Sequence, residues 1–283
     1  QNQAAFALVF TIGVAITSIP VISKIFFDLG IMNPRFSNTV LTASTLQDLI
    51  LWILLNAATR IATTGEVKFL DMLVVVLITL GLFVVVKVVS DHVKTLQVNL
   101  KPINFYSVSF VILLLVCAGL YKVGINIMYA AFLTGYVVKA VAGVDEKVKG
   151  LMDGLGNFAF SFFIPIYFAL VGIQLNLLND FSWLRFFAFF AIAFTLEGIG
   201  TLLMVQFTDL NRASKLNFAV TMNARGGPGI VLATVAYSYE IISLEFFTVL
   251  ILTTMLSSLI AGYWLRMQQK KDPEIFMNLT KQQ

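Results

Sequence analysis

The feature that most constrains this chain is a succession of apolar runs, each long enough to cross the hydrocarbon core of a bilayer as a helix, for which about 17 to 25 residues suffice. About nine such runs can be marked, at 3–29, 38–58, 67–89, 103–120, 124–142, 154–177, 183–207, 215–237 and 243–265. Their lengths exclude a membrane β-barrel, whose strands are about 10 residues of alternating polarity. Hydrophobic side chains make up 59% of the 283 residues and charged ones 12%, with a mean hydropathy of +0.90, which no ordinary soluble domain approaches. The expected fold is all-α: a polytopic membrane bundle of about nine transmembrane helices, surrounded by lipid. The net charge of +4 does not point to nucleic acid, because the basic residues lie in short connectors between apolar runs. The single cysteine, Cys117, lies inside a run, so neither a disulfide framework nor a cysteine metal site is available.

The connectors also set an orientation. Of the Lys and Arg residues outside the runs' centres, only Arg60, Lys68, Lys122 and Arg185 fall on one side; the others, including Arg35, Lys101, Lys147, Lys149, Arg212, Arg266, Lys270 and Lys271, fall on the opposite side. The positive-inside rule makes the richer side cytoplasmic, with the C-terminus inside and the plasma (inner) membrane as the expected location. The polar connector at 143–153 divides the chain into two halves. The chain has no initiator Met, so Gln1 reads as the start of a fragment.

Two runs do not read as continuous rods. The first contains Thr17-Ser18-Ile19-Pro20, where the proline removes a backbone donor and predicts a break near Thr17. The eighth contains Asn223-Ala224-Arg225-Gly226-Gly227-Pro228-Gly229, whose glycines and proline are poor helix formers. Unwound backbone at membrane depth is tolerated where it is buried in protein or lines a cavity. One interrupted helix in each half is the sequence pointer to a transporter site near the bilayer midplane. A plain proline kink for packing is the blander reading. The pairing also suggests an inverted repeat in which the run at 183–207 lacks a partner ahead of residue 1.

Three ionisable residues lie deep inside runs: Asp48, Glu197 and Arg225. Such groups are costly in a bilayer, face protein or water, and mark ion or proton paths.

The stretch FTIGVAITSIPVISKIFFDLGIMNPRFSNTVLTASTLQDLILWILL resembles the ion-binding half of the monovalent cation:proton antiporter 2 family. NIMYAAFLTGYVV, FFIPIYFALVGIQLNL and VTMNARGGPGIVLATVAYS are similar to later helices of that family in the same order. The resemblance runs from Ala5 to about Leu265. It implies a homodimeric secondary antiporter with two broken, crossing helices, in which a mobile core moves against a dimerisation domain. It also implies that three or four helices precede the first broken one. On this resemblance residues 1–89 and 183–265 form the two parts of the ion-translocating core, 90–182 the dimerisation side, and 266–283 a cytoplasmic tail. Two positions depart from the family pattern. Many relatives carry two acids or Asn-Asp where this chain has Gln47-Asp48, a pairing that resembles the potassium-efflux branch. Glu197 stands where many relatives carry a lysine that pairs with the transport acid.

An antiporter needs one site for which proton and cation compete. A buried carboxylate serves, because it must lose its proton to coordinate the ion and burial disfavours its charged form. Asp48 is the expected transport carboxylate. Alkali cations prefer oxygen ligands, as other hard cations do, and Gln47, Thr17, Ser18 and freed carbonyls of the broken helix can supply them. Ser44 lies one turn before Asp48 on the same face. Each of these neutral residues is equally explained by helix packing. Glu197 is expected to pair with Arg225, leaving Asp48 free to titrate, with Asn223 orienting the second break. The transported species are H⁺ and K⁺ or Na⁺, with pH homeostasis as the implied purpose. No cofactor is expected, and the chain is not expected to be an enzyme. The alternatives are a sodium-coupled organic-anion symporter, with Arg225 meeting the anion, and a non-transporting membrane sensor subunit.

Overall fold

The computed structural model describes residues 2–31, 35–93, 102–142, 146–175, 177, 181–208, 210–272 and 275–276. The start of the 143–153 connector, residues 143–145, and most of the tail beyond Asp272 therefore lie outside the described residues, while 146–153 open α7. Among those described, the secondary structure is helical: α1 (Gln3–Ala15), α2 (Ile19–Asp28), α3 (Arg35–Thr64), α4 (Phe69–Val93), α5 (Pro102–Lys122), α6 (Ile127–Ala142), α7 (Glu146–Gln174), α8 (Trp183–Val205), α9 (Arg212–Met222), α10 (Gly226–Ser238) and α11 (Leu244–Lys271). Among the described residues six stretches are long and apolar enough to cross a membrane: Gln3–Asp28, Arg35–Thr64, Phe105–Lys122, Val148–Gln174, Trp183–Val205 and Leu244–Lys271. Met72–Leu82 and Ile127–Lys139 are shorter apolar segments. The chain is an integral membrane protein.

The helix ends follow local chemistry. Ser18 caps α2 by accepting from Val21 N, and Pro20 sits in the first turn of α2, where its missing N–H has no intrahelical partner to lose. Asn2, Ser182, Asn211 and Ser243 cap α1, α8, α9 and α11 in the same way. At 1.5 Å per residue α1, α2, α9 and α10 are each only about 15 to 20 Å long, too short to cross a core of about 30 Å alone.

The described chain forms two compact units, Gln1–Thr63 with Leu175–Gln283, and Thr64–Gln174. In the first, Phe6 and Phe10 of α1 meet Phe189 of α8 and Phe246 of α11, with ring centroids 5.2 to 6.1 Å apart. A second aromatic group joins Phe26 of α2, Phe36 of α3, Phe218 of α9 and Phe276, which is wholly buried beyond the end of α11. Lipid tails are as apolar as these side chains, so close backbone approach matters more here than apolar burial. A Cβ on Gly229 would lie 2.5 Å from Thr254 Oγ1, so the glycine is what lets α10 lie against α11.

In the second unit α4 packs on α6, and α5, α6 and α7 pack on one another. Tyr129 of α6 and Thr79 of α4 share a buried hydrogen bond of 2.6 Å, and Asn126 caps α6 at Met128 N. Leu115, Phe163 and Ile173 are among its exposed apolar side chains.

Candidate functional site

α1 stops at Ala15 and α2 begins at Ile19, with Ile16 and Ser18 in extended backbone. A helix end leaves its last carbonyls without partners inside the helix, and here side chains from elsewhere reach them. Arg225 donates from Nε to Gly13 O at 3.3 Å and from Nη2 to Val14 O at 2.9 Å. Gln47 donates from Nε2 to Ala15 O. The negative end of α1 thus faces a guanidinium and an amide, an arrangement the helix dipole favours.

Arg225 is 1% exposed and two more of its five N–H donors also go to backbone: Nη2 to Ala193 O on α8 at 2.8 Å and Nη1 to Asn223 O at 3.5 Å. Arg225 and Glu197 act on each other electrostatically, as expected, but among the described residues no direct ion pair within 4.0 Å joins them. The reason is steric and electrostatic together: a planar guanidinium matches several fixed carbonyl dipoles at once, and the end of α1 presents them. Glu197, on α8 and 9% exposed, instead accepts from Gln47 Nε2 at 3.3 Å and Thr201 Oγ1 at 3.4 Å.

The two helix interruptions touch. Thr17 Oγ1 lies 2.7 Å from Met222 O at the end of α9 and 2.8 Å from Gln47 Oε1. Gly226 has φ +42°, and a Cβ there would fall 2.3 Å from Val21 Cγ2 and 2.5 Å from Ser18 Oγ. Only glycine satisfies both the left-handed backbone and the contact. Gly226 N donates to Ser258 Oγ, tying the start of α10 to α11. Asn223 caps α9 and donates from Nδ2 to Ala219 O, while its Oδ1 is a buried acceptor without a hydrogen-bond partner.

Asp48 sits on the stripe Val40, Ser44, Asp48, Leu51, Leu55 that α3 buries. It is 4% exposed and makes no hydrogen bond to another described residue. With Ile12, Ile16, Leu51, Trp52, Leu55, Pro228 and Leu232 it lines a narrow recess with room for about one water. Successive residues on a helix point about 100° apart, so Gln47 turns to the end of α1 while Asp48 turns to this recess. Ser44, one turn earlier, donates to Met222 Sδ at 3.5 Å rather than to the carboxyl. Ser18 is spent on capping α2. The site therefore brings together Gln47, Thr17, Glu197, Arg225 and Asn223 around the two interruptions, and places Asp48 beside Ile16 and Pro228. Sequence reasoning does not reach the carbonyls of Gly13, Val14, Ala15 and Ala193 as partners of Arg225 and Gln47. The available signal was the need of a buried arginine for several acceptors.

A helical membrane bundle with a buried, unpartnered carboxyl between interrupted helices defines the class of ion-handling membrane proteins. Within that class the chain belongs to the sodium/hydrogen exchanger transmembrane family, whose model matches residues 4–270. It is 26% identical over 268 residues to K(+)/H(+) antiporter 1 of Saccharomyces cerevisiae, covering 91% of this chain and 30% of that protein. It is 23% identical over 281 residues to a Na(+)/H(+) antiporter of Enterococcus hirae, covering 96% of this chain and 70% of that one. Cation/H(+) antiporter 15 of Arabidopsis thaliana is 20% identical over 263 residues, 90% of this chain and 31% of that protein. The chain thus spans about a third of the length of the yeast and plant relatives.

Proposed function

We propose that this chain is the ion-translocating membrane region of a secondary-active monovalent cation/proton antiporter, exchanging K⁺ or Na⁺ for H⁺ by alternating access. The observation that carries this reading is Asp48: a carboxyl buried to 4% exposure, without a hydrogen-bond partner among the described residues, lining a recess against Ile16 of the first interruption and Pro228 in the first turn of α10. An unpaired buried charge is expensive, and a proton or a bare cation each relieves it, which is the competition an exchanger requires. Family membership and relatives named for K⁺/H⁺ and Na⁺/H⁺ exchange support the same reading.

The finer organisation is part of the proposal. The chain crosses the membrane about nine times, with α1–α2 and α9–α10 as the paired broken helices of an inverted repeat. Residues 1–89 and 183–265 serve the translocating core and 90–182 the side nearer the partner in a homodimer, with the C-terminus cytoplasmic and the protein in the plasma membrane. Gln47 and Thr17 hold the first interruption in register with Asp48. The anion-symporter alternative loses its support, because the guanidinium it needs is committed to carbonyls.

The test is exchange by the full-length protein in proteoliposomes with an internal pH dye. A K⁺ or Na⁺ gradient is expected to drive proton flux, and Asp48→Asn to abolish it. Exchange at the wild-type rate in Asp48→Asn removes Asp48 from this role.

A further inference from the structure

The outward side of α11 is a single stripe: Met255, Leu259, Tyr263, Arg266 and Lys270 are all exposed, at spacings of three and four residues that return to one face of a helix. The stripe is apolar first, then aromatic, then cationic. The inward side of the same turns is committed to protein. Leu265 is wholly buried, Trp264 donates from Nε1 to Asn217 Oδ1 at 3.0 Å, and Gln269 donates from Nε2 to Leu29 O at 2.7 Å. These contacts fix the rotation of α11 and keep Arg266 and Lys270 facing out.

The helix itself sets the depth of the stripe. Near its start Glu245 pairs with Arg185 of α8, and a partly exposed ion pair marks the edge of an aqueous phase. At 1.5 Å per residue from Glu245, Tyr263 lies about 27 Å along α11, Arg266 about 31 Å and Lys270 about 37 Å. A hydrocarbon core is about 30 Å thick, with headgroups beyond it. Tyr263 thus stands at the rim of the core, where tyrosine is enriched, and the two cations stand at the level of lipid phosphates.

Those cations lack anions. Arg266, Lys270 and Lys271 make no hydrogen bond or ion pair to another described residue. From Phe246 onward the first acid of the chain is Asp272, which ends α11, and Asp28 at the end of the neighbouring α2 is paired with Lys24 at 2.6 Å. Arg266 and Lys270 are i and i+4 neighbours, and like charges so placed destabilise a helix unless an anion stands between them.

We propose that the Lys271 end of α11 binds an anionic phospholipid, its headgroup phosphate bridging Arg266 and Lys270 beside Lys271 and an acyl chain lying along Tyr263, Leu259 and Met255. The guanidinium takes two phosphate oxygens with its planar fork, and the ammonium takes a third as a point charge. From Arg266 back to Met255 is about 16 Å, the depth of one leaflet of a core about 30 Å thick, so one chain covers the apolar stripe. A zwitterionic lipid offers the same phosphate with a fixed cation attached, which the three basic side chains repel. α11 also accepts Gly226 N at Ser258 Oγ, so the lipid steadies the helix on which the second interruption rests. The proposal depends on the membrane class of the chain and not on the exchanger reading.

The test places a bimane fluorophore on Leu259→Cys in a cysteine-free background of the full-length protein, in vesicles of phosphatidylcholine and phosphatidylglycerol in which one or the other lipid carries brominated, quenching chains. Brominated phosphatidylglycerol is expected to occupy the site on the order of 25-fold more readily than brominated phosphatidylcholine, about fivefold for each of Arg266 and Lys270. Adding Arg266→Gln and Lys270→Gln is expected to remove that preference, and bimane on Leu115→Cys, exposed on α5, to show none. Equal quenching by the two lipids at Leu259→Cys, a preference that survives the double substitution, or the same preference at Leu115→Cys each overturns the proposal. Should the double variant fail to fold, Arg266→Gln and Lys270→Gln are measured singly, each expected to lower the preference about fivefold; a preference unchanged in both overturns it. No transport is measured, so the outcome is independent of Asp48.

Discussion

Arg225→Lys keeps the positive charge but removes the planar fork that reaches carbonyls on α1 and α8 from one side chain. An ammonium placed near Val14 O leaves Gly13 O, a terminal carbonyl of α1, unserved. Each charge-assisted hydrogen bond is worth about 1.5 to 3 kcal/mol and each abandoned buried acceptor costs about 1 to 3. The variant is therefore expected to lose about 2 to 4 kcal/mol, read as a lower melting temperature in detergent by fluorescence-detected size exclusion; a melting temperature equal to wild type sinks this account of Arg225. The same residue marks where sequence reading runs out. Asp48, Glu197 and Arg225 stand out because formal charges in apolar runs are visible in one dimension. Pairing them is not, because the strongest competitor for the guanidinium is a set of partial charges on backbone carbonyls. Those exist as acceptors only once α1 has stopped at Ala15 and turned its end toward α8 and α10.

Among the elements, the short helices depend on each other's ends. Gly226 opens α10 with φ +42°, and a Cβ there would clash with Ser18 of the first interruption and Val21 in the first turn of α2. Gly226→Ala strains the backbone and drives a methyl into Val21 Cγ2. Alanine at a positive φ costs more than the roughly 1 kcal/mol that glycine-to-alanine exchange usually changes, and the clash forces the two interruptions apart. The expected outcome is near-complete loss of cation-driven proton flux with the protein still inserted in the membrane, whereas Gly227→Ala, where an added Cβ meets nothing within 4 Å, leaves flux close to wild type. Equal flux in the two variants contradicts the close contact at Gly226. Local chemistry of this kind is legible in a sequence: Pro20 stands in the first turn of α2, and Gly226-Gly227-Pro228-Gly229 opens α10. Not legible is which ends meet. The contact of Thr17 with Met222 O spans 205 positions of chain, and nothing in either segment alone encodes the other.

For the molecule as a whole, the apolar runs make the membrane class plain, since length and composition suffice for that. Two compact units are less plain. The sequence offers the polar connector at 143–153 as a divide, while the described chain groups residues 64–174 together and joins 1–63 to 175–283, because helix packing follows side-chain fit and not connector polarity. Sidedness is the property that a charge count addresses and packing does not. α11 runs from Leu244 to Lys271, about 42 Å at 1.5 Å per residue, enough to separate two aqueous phases. Arg266, Lys270 and Lys271 crowd one end, while the turn at 239–243 before the other end has no Lys or Arg. Moving basic residues across the bilayer against that bias is disfavoured, so Lys271 is expected on the cytoplasmic face and Ser238, exposed at the end of α10, on the outer one. In a cysteine-free background of the full-length protein, with Cys117 replaced, a membrane-impermeant maleimide applied to intact cells is expected to label Ser238→Cys and leave Lys271→Cys untouched. Inside-out vesicles are expected to reverse the pattern. Labelling of Lys271→Cys from outside, or of both positions from one side, refutes the cytoplasmic C-terminus.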